Sequence, residues 1–254
     1  MAITPDGSAA HEVQKRLLTL PPAIAGVDLA VSWVPHGDVG GDFYDFVMLE
    51  EESLGVTLGD ISGKGYDAAL LMVYALAELR AGLRNNLRLP YLMAQLDESL
   101  KKYSAGNRFA EVLIGIYAPS SRRFVFVQGG GIFPLVFHQT TERLFLNSGP
   151  TYRVPGFPFA ADRRRRYVEA SVELELNDFL LLMSDGISER EVAPGRQVVG
   201  RDEFGALVSP SLKELCIEHR QGSAGDLLAG IQRMLDSLSS ERRDDETMIV
   251  LKGT

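Results

Sequence analysis

The run Phe179-Leu180-Leu181-Leu182-Met183 contains no polar residue and ends directly on Ser184-Asp185-Gly186. A short, wholly apolar run of this kind suits a β-strand buried on both faces. Such a strand must be covered on each side, so the chain has to fold in layers. The same run delivers a carboxylate to its end. A carboxylate placed there needs a partner or a cation.

The rest of the chain supplies the layers. Val13, Leu17 and Leu18 stand at helical spacing between about Ala9 and Leu20, and Pro21-Pro22 is read as the stop. Val27–Val34, Phe43–Leu49 and Leu54–Leu58 are short, rich in β-formers and separated by glycine and proline. Tyr66–Leu83 is apolar almost all round and predicts a buried helix. Leu89–Tyr103 places Leu89, Leu92, Met93, Leu96 and Leu100 on one stripe. Strands are predicted at Val112–Tyr117, Phe124–Val127, Leu135–His138, Leu144–Leu146, Tyr167–Leu176 and Met248–Leu251. Leu227, Leu228, Ile231, Leu235 and Leu238 form one helical face. No repeat or long linker divides the 254 residues. The pattern predicts α+β layers in one domain, 26–254, preceded by a helical segment, 1–25.

The formal charge of −8 makes a nucleic-acid partner a poor fit. The lone Cys216 excludes an intramolecular disulfide and a zinc site built on several thiolates, and its neighbours Leu212, Leu215 and Ile217 mark it as a buried apolar residue. No leader or membrane-length apolar run is read, which predicts a cytoplasmic protein. Gly59-Asp60-Ile61-Ser62-Gly63-Lys64-Gly65 fails as a P-loop, because three residues rather than four precede Gly63-Lys64 and Gly65 replaces Ser or Thr. It fails as a nucleophile elbow because Asp60 stands two before Ser62. Gly129-Gly130-Gly131 reads as a tight turn. His11, His36, His138 and His219 are scattered without ligand spacing and read as surface or capping residues.

The aspartates are placed less evenly. Asp42, Asp60, Asp185 and Asp244-Asp245 all stand at ends of predicted strands, most of them beside glycine. Each alone is an ordinary turn residue. Together they outnumber the local cations, since only Lys64 lies within these motifs. Hard divalent cations with oxygen ligands suit an all-aspartate site.

The strings VGGDFYDF, GDISGKGYDAALLM, FLLLMSDGISE and DDETMIVL resemble, in this order, the bacterial metal-dependent serine/threonine phosphatases of the PP2C superfamily. The branch is that of sporulation and stress-response phosphatases acting on anti-sigma-factor antagonists. The resemblance runs from about Val13 to Leu251. It implies an αββα sandwich of two antiparallel sheets flanked by helices, with two Mn²⁺ or Mg²⁺ ions at one end. It implies that Asp60 bridges both ions, that Asp42 and the Ile61 backbone carbonyl are ligands, and that Asp185 and Asp244 hold the second ion. Asp45 and Asp245 are read as supporting groups and Asp67 as an acid favoured at a helix start. The implied chemistry is attack on phosphorus by a water that the ions acidify, with no phosphoenzyme.

The resemblance further implies a phosphoprotein substrate, a STAS-type anti-sigma-factor antagonist. Two alternatives stand beside it. One is a weak or inactive relative acting as a partner-switching module, and the other is a metallohydrolase for small phosphoesters. Relatives carry Ala-Gly-His-x-x-Pro where this chain has Gly129-Gly130-Gly131-Ile132-Phe133-Pro134, so the histidine position is Gly131. The N-terminal helix either packs on its own domain or pairs two copies, and a regulatory partner is a further option. Arg163–Arg166 read as a solvated run, with docking of an acidic partner as the sharper option.

Overall fold

The run Phe179–Met183 is the middle strand of a five-stranded antiparallel sheet. The computed structural model describes residues 7–103, 109–146, 167–201, 207–238 and 241–254. In chain order the elements are α1 (Gly7–Leu17), β1 (Val27–Val34), β2 (Phe43–Met48), β3 (Leu54–Ile61), α2 (Tyr66–Arg84), α3 (Leu89–Tyr103), β4 (Ala110–Ala118), β5 (Arg123–Gly129), β6 (Leu135–His138) and β7 (Arg143–Leu146). They continue with β8 (Ala170–Glu173), β9 (Phe179–Met183), α4 (Asp185–Ser188), β10 (Glu191–Ala193), β11 (Arg196–Gln197), β12 (Gly200–Arg201), β13 (Leu207–Val208), α5 (Pro210–Glu218), α6 (Ala224–Ser237) and β14 (Glu246–Gly253).

One sheet has the order β1-β14-β9-β6-β7 and the other β2-β3-β4-β5-β8, with every pairing antiparallel. Helices α2 and α3 cover the second sheet, while α6 lies on β1 and β14 with α5 beside it. This is the αββα sandwich. The strand period of two explains why β9 has no polar position. Leu180 and Leu182 face the core between the sheets, with Ile249 and Leu251 of β14. Phe179, Leu181 and Met183 face the α5–α6 layer, with Met248, Val250, Leu227 and Ile231. Burying five such side chains is worth roughly 10 kcal/mol, which a strand at the sheet edge would largely forfeit.

Three sequence expectations need correction. Helix α2 is not buried all round: Ala68, Met72, Ala75, Leu76, Leu79 and Leu83 face inward, but Leu70 is 71% exposed. It is an outer-layer helix with one side in water. Helix α1 ends at Leu17, short of the prolines, and Val13 on its apolar spacing is exposed. Leu17 and Leu18 of that spacing do pack on the core, and the polar Gln14 is buried with them: its Nε2 donates to the Gly40 carbonyl at 2.9 Å while its Oε1 accepts from Gly40 N at 3.1 Å. The helix is therefore seated on its own chain. The strand expected over Tyr167–Leu176 is only Ala170–Glu173, because the chain turns at Glu175–Asp178, where Asp178 N bonds the Glu175 carbonyl.

Among the described residues no helix is long and apolar enough to cross a membrane. The Arg163–Arg166 run lies outside the described residues.

Candidate metal centre

Antiparallel register brings the predicted acids together. Phe43 pairs with Gly59, so the start of β2 lies beside the end of β3, and Asp42 comes near Asp60. Met183 pairs with Met248, so the end of β9 lies beside the start of β14, and Asp185 comes near Asp244. Both strand pairs open toward the same end of the sandwich.

Cross-sheet hydrogen bonds close that end. Thr247 Oγ1 donates to Asp42 Oδ2 at 2.6 Å. The Asp245 carboxylate accepts from Gly41 N and His36 N, each at 2.7 Å, and from Asp42 N at 3.3 Å. Trp33 Nε1 donates to the Asp42 carbonyl at 3.0 Å. Asp42 is only 1% exposed, so its position is fixed by the fold. Gly41 is required here: a Cβ would sit 2.4 Å from the Ile61 carbonyl oxygen, the backbone group that the family resemblance implies as a ligand.

The electrostatics are those of crowded acids. Burial first, then the charges of Asp245 and Asp185, push the Asp42 carboxyl up to about 8 against the pull of its Thr247 bond. Burial and the charges of Asp42, Asp185, Glu111 and Asp244 raise Asp60 well above the usual carboxylate range. Asp185 is raised by burial and by Asp244 and Glu189. Thus all four acids share one field. Among the described residues, no three His, Cys, Asp or Glu side chains close into a cage around one point. The donor set is nevertheless all oxygen, and its charged form is strained by burial and by like charge. Hard divalent cations relieve both, so the residues fit Mg²⁺ or Mn²⁺ and do not fit a soft metal.

The neighbouring acids sort out by contact. Asp45 is turned away into an ion pair with Arg80 at 2.6 Å and also accepts from Thr19 Oγ1 at 2.8 Å. Asp245 spends its carboxylate on the three backbone N–H groups named above, as a supporting residue does. Asp67 lies in the first turn of α2, whose N-cap is Gly65. Three of the histidines are engaged elsewhere: His11 Nδ1 lies 3.2 Å from the Asp38 carbonyl, His138 pairs with Asp178 at 2.6 Å, and His219 caps α5, while His36 meets the acids through its backbone N–H to Asp245. Cys216 is fully buried, which pushes its thiol up to about 12.

Sequence reasoning missed Glu111. It pairs with Asp60 across β3 and β4, and burial pushes its carboxyl up to about 7. It lines a cavity of about 430 Å³ with Asp185, Gly131, Phe133 and Met183. A Cβ on Gly131 would lie 2.7 Å from Glu111 Oε2. Glu111 therefore fills the space a side chain at 131 would need. The available signal was a single acid inside the otherwise apolar β4, opposite three consecutive glycines.

A family model, Stage II sporulation protein E (SpoIIE), matches residues 50–253. Phosphoserine phosphatase RsbU of Bacillus subtilis (strain 168) is 25% identical over 245 residues, which are 96% of this chain and 68% of that protein. Among solved structures, the SiaA-PP2C domain of Pseudomonas aeruginosa superposes with a TM-score of 0.74 at 17% identity, over 98% of this chain and 96% of that one. The RsbU and RsbW domains of Rv1364c from Mycobacterium tuberculosis give 0.68 at 22% identity, over 91% of this chain and 61% of that one. RsbX in complex with magnesium gives 0.65 at 14%, over 92% and 98%. At these identities the structural likenesses establish the fold.

Proposed function

The chain belongs to the Stage II sporulation protein E family and has the PP2C fold; from that premise we propose that it is a metal-dependent phosphatase of phosphoserine and phosphothreonine in proteins. The observation that carries this reading is the convergence of Asp42, Asp60, Asp185 and Asp244 from both sheets into one electrostatic field. A binding module has no use for acids so costly to keep together. RsbU, a phosphoserine phosphatase, is the relative that supports the substrate class.

In this reading Asp42, Asp60 and the Ile61 carbonyl would hold one divalent ion, and Asp60, Asp185 and Asp244 would hold the second. Bound there, the two ions supply positive charge to the phosphoryl oxygens and an acidified water. The chain's own residues do the positioning. Thr247 and Trp33 hold Asp42, and Asp245 holds the turn that carries it. In this reading residues 26–254 are the phosphatase domain and 1–25 a preceding segment, whose helix α1 is bonded through Gln14 to Gly40. The proposed physiological substrate is a phosphorylated STAS-type anti-sigma-factor antagonist, as the resemblance of the four motifs to the stress-response phosphatases implies.

The test is hydrolysis of p-nitrophenyl phosphate and of a phosphoserine peptide with Mn²⁺, with EDTA, and with Asp185→Asn. Turnover that needs Mn²⁺ and is lost in the variant supports the proposal. Absent turnover, or turnover indifferent to EDTA, overturns it. Dephosphorylation of a phosphorylated STAS protein in preference to the peptide then tests the narrower substrate claim.

A further inference from the structure

Lys64 lies inside the motif that carries Asp60, and its ammonium reaches the acid end of the sandwich. Nζ stands 3.5 Å from Asp244 Oδ1 and donates to the Arg243 carbonyl. The side chain is 53% exposed, so the charge faces the solvent from which a substrate would arrive. It also lines a cavity of about 160 Å³ with His36, Asp38 and Asp245.

The backbone under Lys64 is fixed, while its half-exposed head rests on the Asp244 carboxylate and the Arg243 carbonyl. Gly63 and Gly65 hold φ at +97° and +81°, values that suit glycine. Ser62 ties the loop to the start of β4: its N–H donates to the Phe109 carbonyl at 2.8 Å, and its Oγ accepts from Phe109 N at 2.7 Å. At the other side Gly65 is the N-cap of α2, and its carbonyl accepts from Ala69 N at 3.1 Å. A four-carbon stem with a rotatable ammonium is thus anchored firmly at its root.

The charge balance gives this group a task. Four carboxylates and two divalent ions sum to zero. A phosphomonoester dianion entering such a site brings two negative charges, and the cationic side chains near it are Lys64 together with Arg243 and the Glu246-paired Arg190, which line the cavity beside Asp185 and Asp244. We propose that Lys64 is a catalytic residue whose ammonium leaves Asp244 to the divalent ion and holds a non-bridging oxygen of the substrate phosphoryl group. This rests on the phosphatase reading above, since it names the substrate contact of that same site. A charged hydrogen bond to phosphate is among the stronger polar contacts, and the exposed stem lets the head swing without moving the loop.

The test uses Lys64→Gln, Lys64→Ala and Lys64→Arg in the full chain, with inorganic phosphate as the probe. Calorimetric titration of phosphate into the Mg²⁺-loaded protein should show affinity falling roughly 10-fold in the Gln and Ala variants and largely restored by Arg. KM for a phosphoserine peptide should rise by a similar factor with kcat less changed. The rise in Tm on adding Mg²⁺ should persist in all three variants. Unchanged phosphate affinity and KM in Lys64→Gln overturns the proposal, and so does loss of the Mg²⁺-induced Tm rise, because Lys64 would then serve the acid cluster rather than the substrate. Phosphate binding is read without turnover. A wild-type protein that fails to hydrolyse phosphoserine while losing phosphate affinity in Lys64→Gln would sink the phosphatase reading and keep the lysine assignment as an anion site.

Discussion

Thr247 Oγ1 donates to Asp42 Oδ2 at 2.6 Å, tying the start of β14 in one sheet to the start of β2 in the other. This bond lowers the carboxyl of Asp42 against the burial that raises it. Replacing Thr247 by Val keeps the shape and removes the donor. The carboxylate becomes harder to ionise, and a protonated acid is a poor ligand. Thr247→Val should weaken Mg²⁺ binding and cost about 2 kcal/mol of stability in the loaded protein, the usual scale for a buried hydrogen bond to a charged group. Thr247→Ser should restore both. Calorimetry with Mg²⁺ and denaturant midpoints measure the two effects, and unchanged Mg²⁺ affinity in the Val variant would count against the assignment of Asp42.

The acid cluster also sets a pH dependence. Folding raises Asp42 from 3.8 to about 8 and Glu111 from 4.5 to about 7, and it raises Asp60 and Asp185 as well. Between the low and high values the unfolded chain ionises while the folded one keeps its protons. The metal-free protein then loses stability as pH rises from about 4 to about 8. Divalent cations favour the ionised carboxylates and should reverse the trend. Tm in EDTA should fall between pH 5.5 and 8, and Tm in Mg²⁺ should hold or rise. Equal slopes with and without metal would contradict the shared field.

Asp45 tests whether proximity to a motif is enough to make a ligand. It stands three residues from Asp42, but it is buried against Arg80 at 2.6 Å, Thr19 Oγ1 at 2.8 Å and Phe46 N at 3.0 Å. Breaking such a pair leaves a cation without its partner. Asp45→Asn should cost about 3 kcal/mol in stability while leaving Mg²⁺ affinity near wild type. Asp42→Asn should do the reverse, lowering Mg²⁺ affinity with a smaller loss of stability in EDTA. Denaturant titration and calorimetry on the two variants separate the roles.

These contrasts show what the sequence made legible. Apolar pattern located β1, β6, β9 and α3 to the residue, because burial on one or both faces leaves a regular trace. Three of the four acids of the centre stand beside glycines at strand ends; antiparallel pairing brings the acids together two by two within each sheet, and the packing of the two sheets joins the pairs. Contacts made by polar residues facing inward left no such trace. Gln14 is buried through its two bonds to Gly40, so the apolar spacing of α1 pointed to Val13, which is exposed. Glu111 lies just before the strand expected at Val112–Tyr117, and the register with Asp60 shows that it faces the centre.

Glu111 also crowds Gly131, the position at which the family resemblance implies a histidine. Its carboxylate occupies the space above Gly131, with Oε2 only 2.7 Å from where a Cβ would be, and its stem crowds Gly130 in the same way. Gly131→Ala should therefore push the Glu111 carboxylate aside at about 1 kcal/mol, the low end for an overpacked site because Oε2 is the far end of a flexible side chain. Glu111→Ala opens that space, so the double variant should recover most of the loss, giving a coupling energy of up to about 1 kcal/mol between the two positions. Glu111→Gln keeps the volume and removes only the charge. It should leave the cost of Gly131→Ala intact, while making Asp60 easier to ionise, since Glu111 is one of the charges that raise it. The four denaturant midpoints of the Ala cycle, with the Gln series as control, decide the matter. Strict additivity of Gly131→Ala and Glu111→Ala would show that the glycine is kept for some reason other than the glutamate.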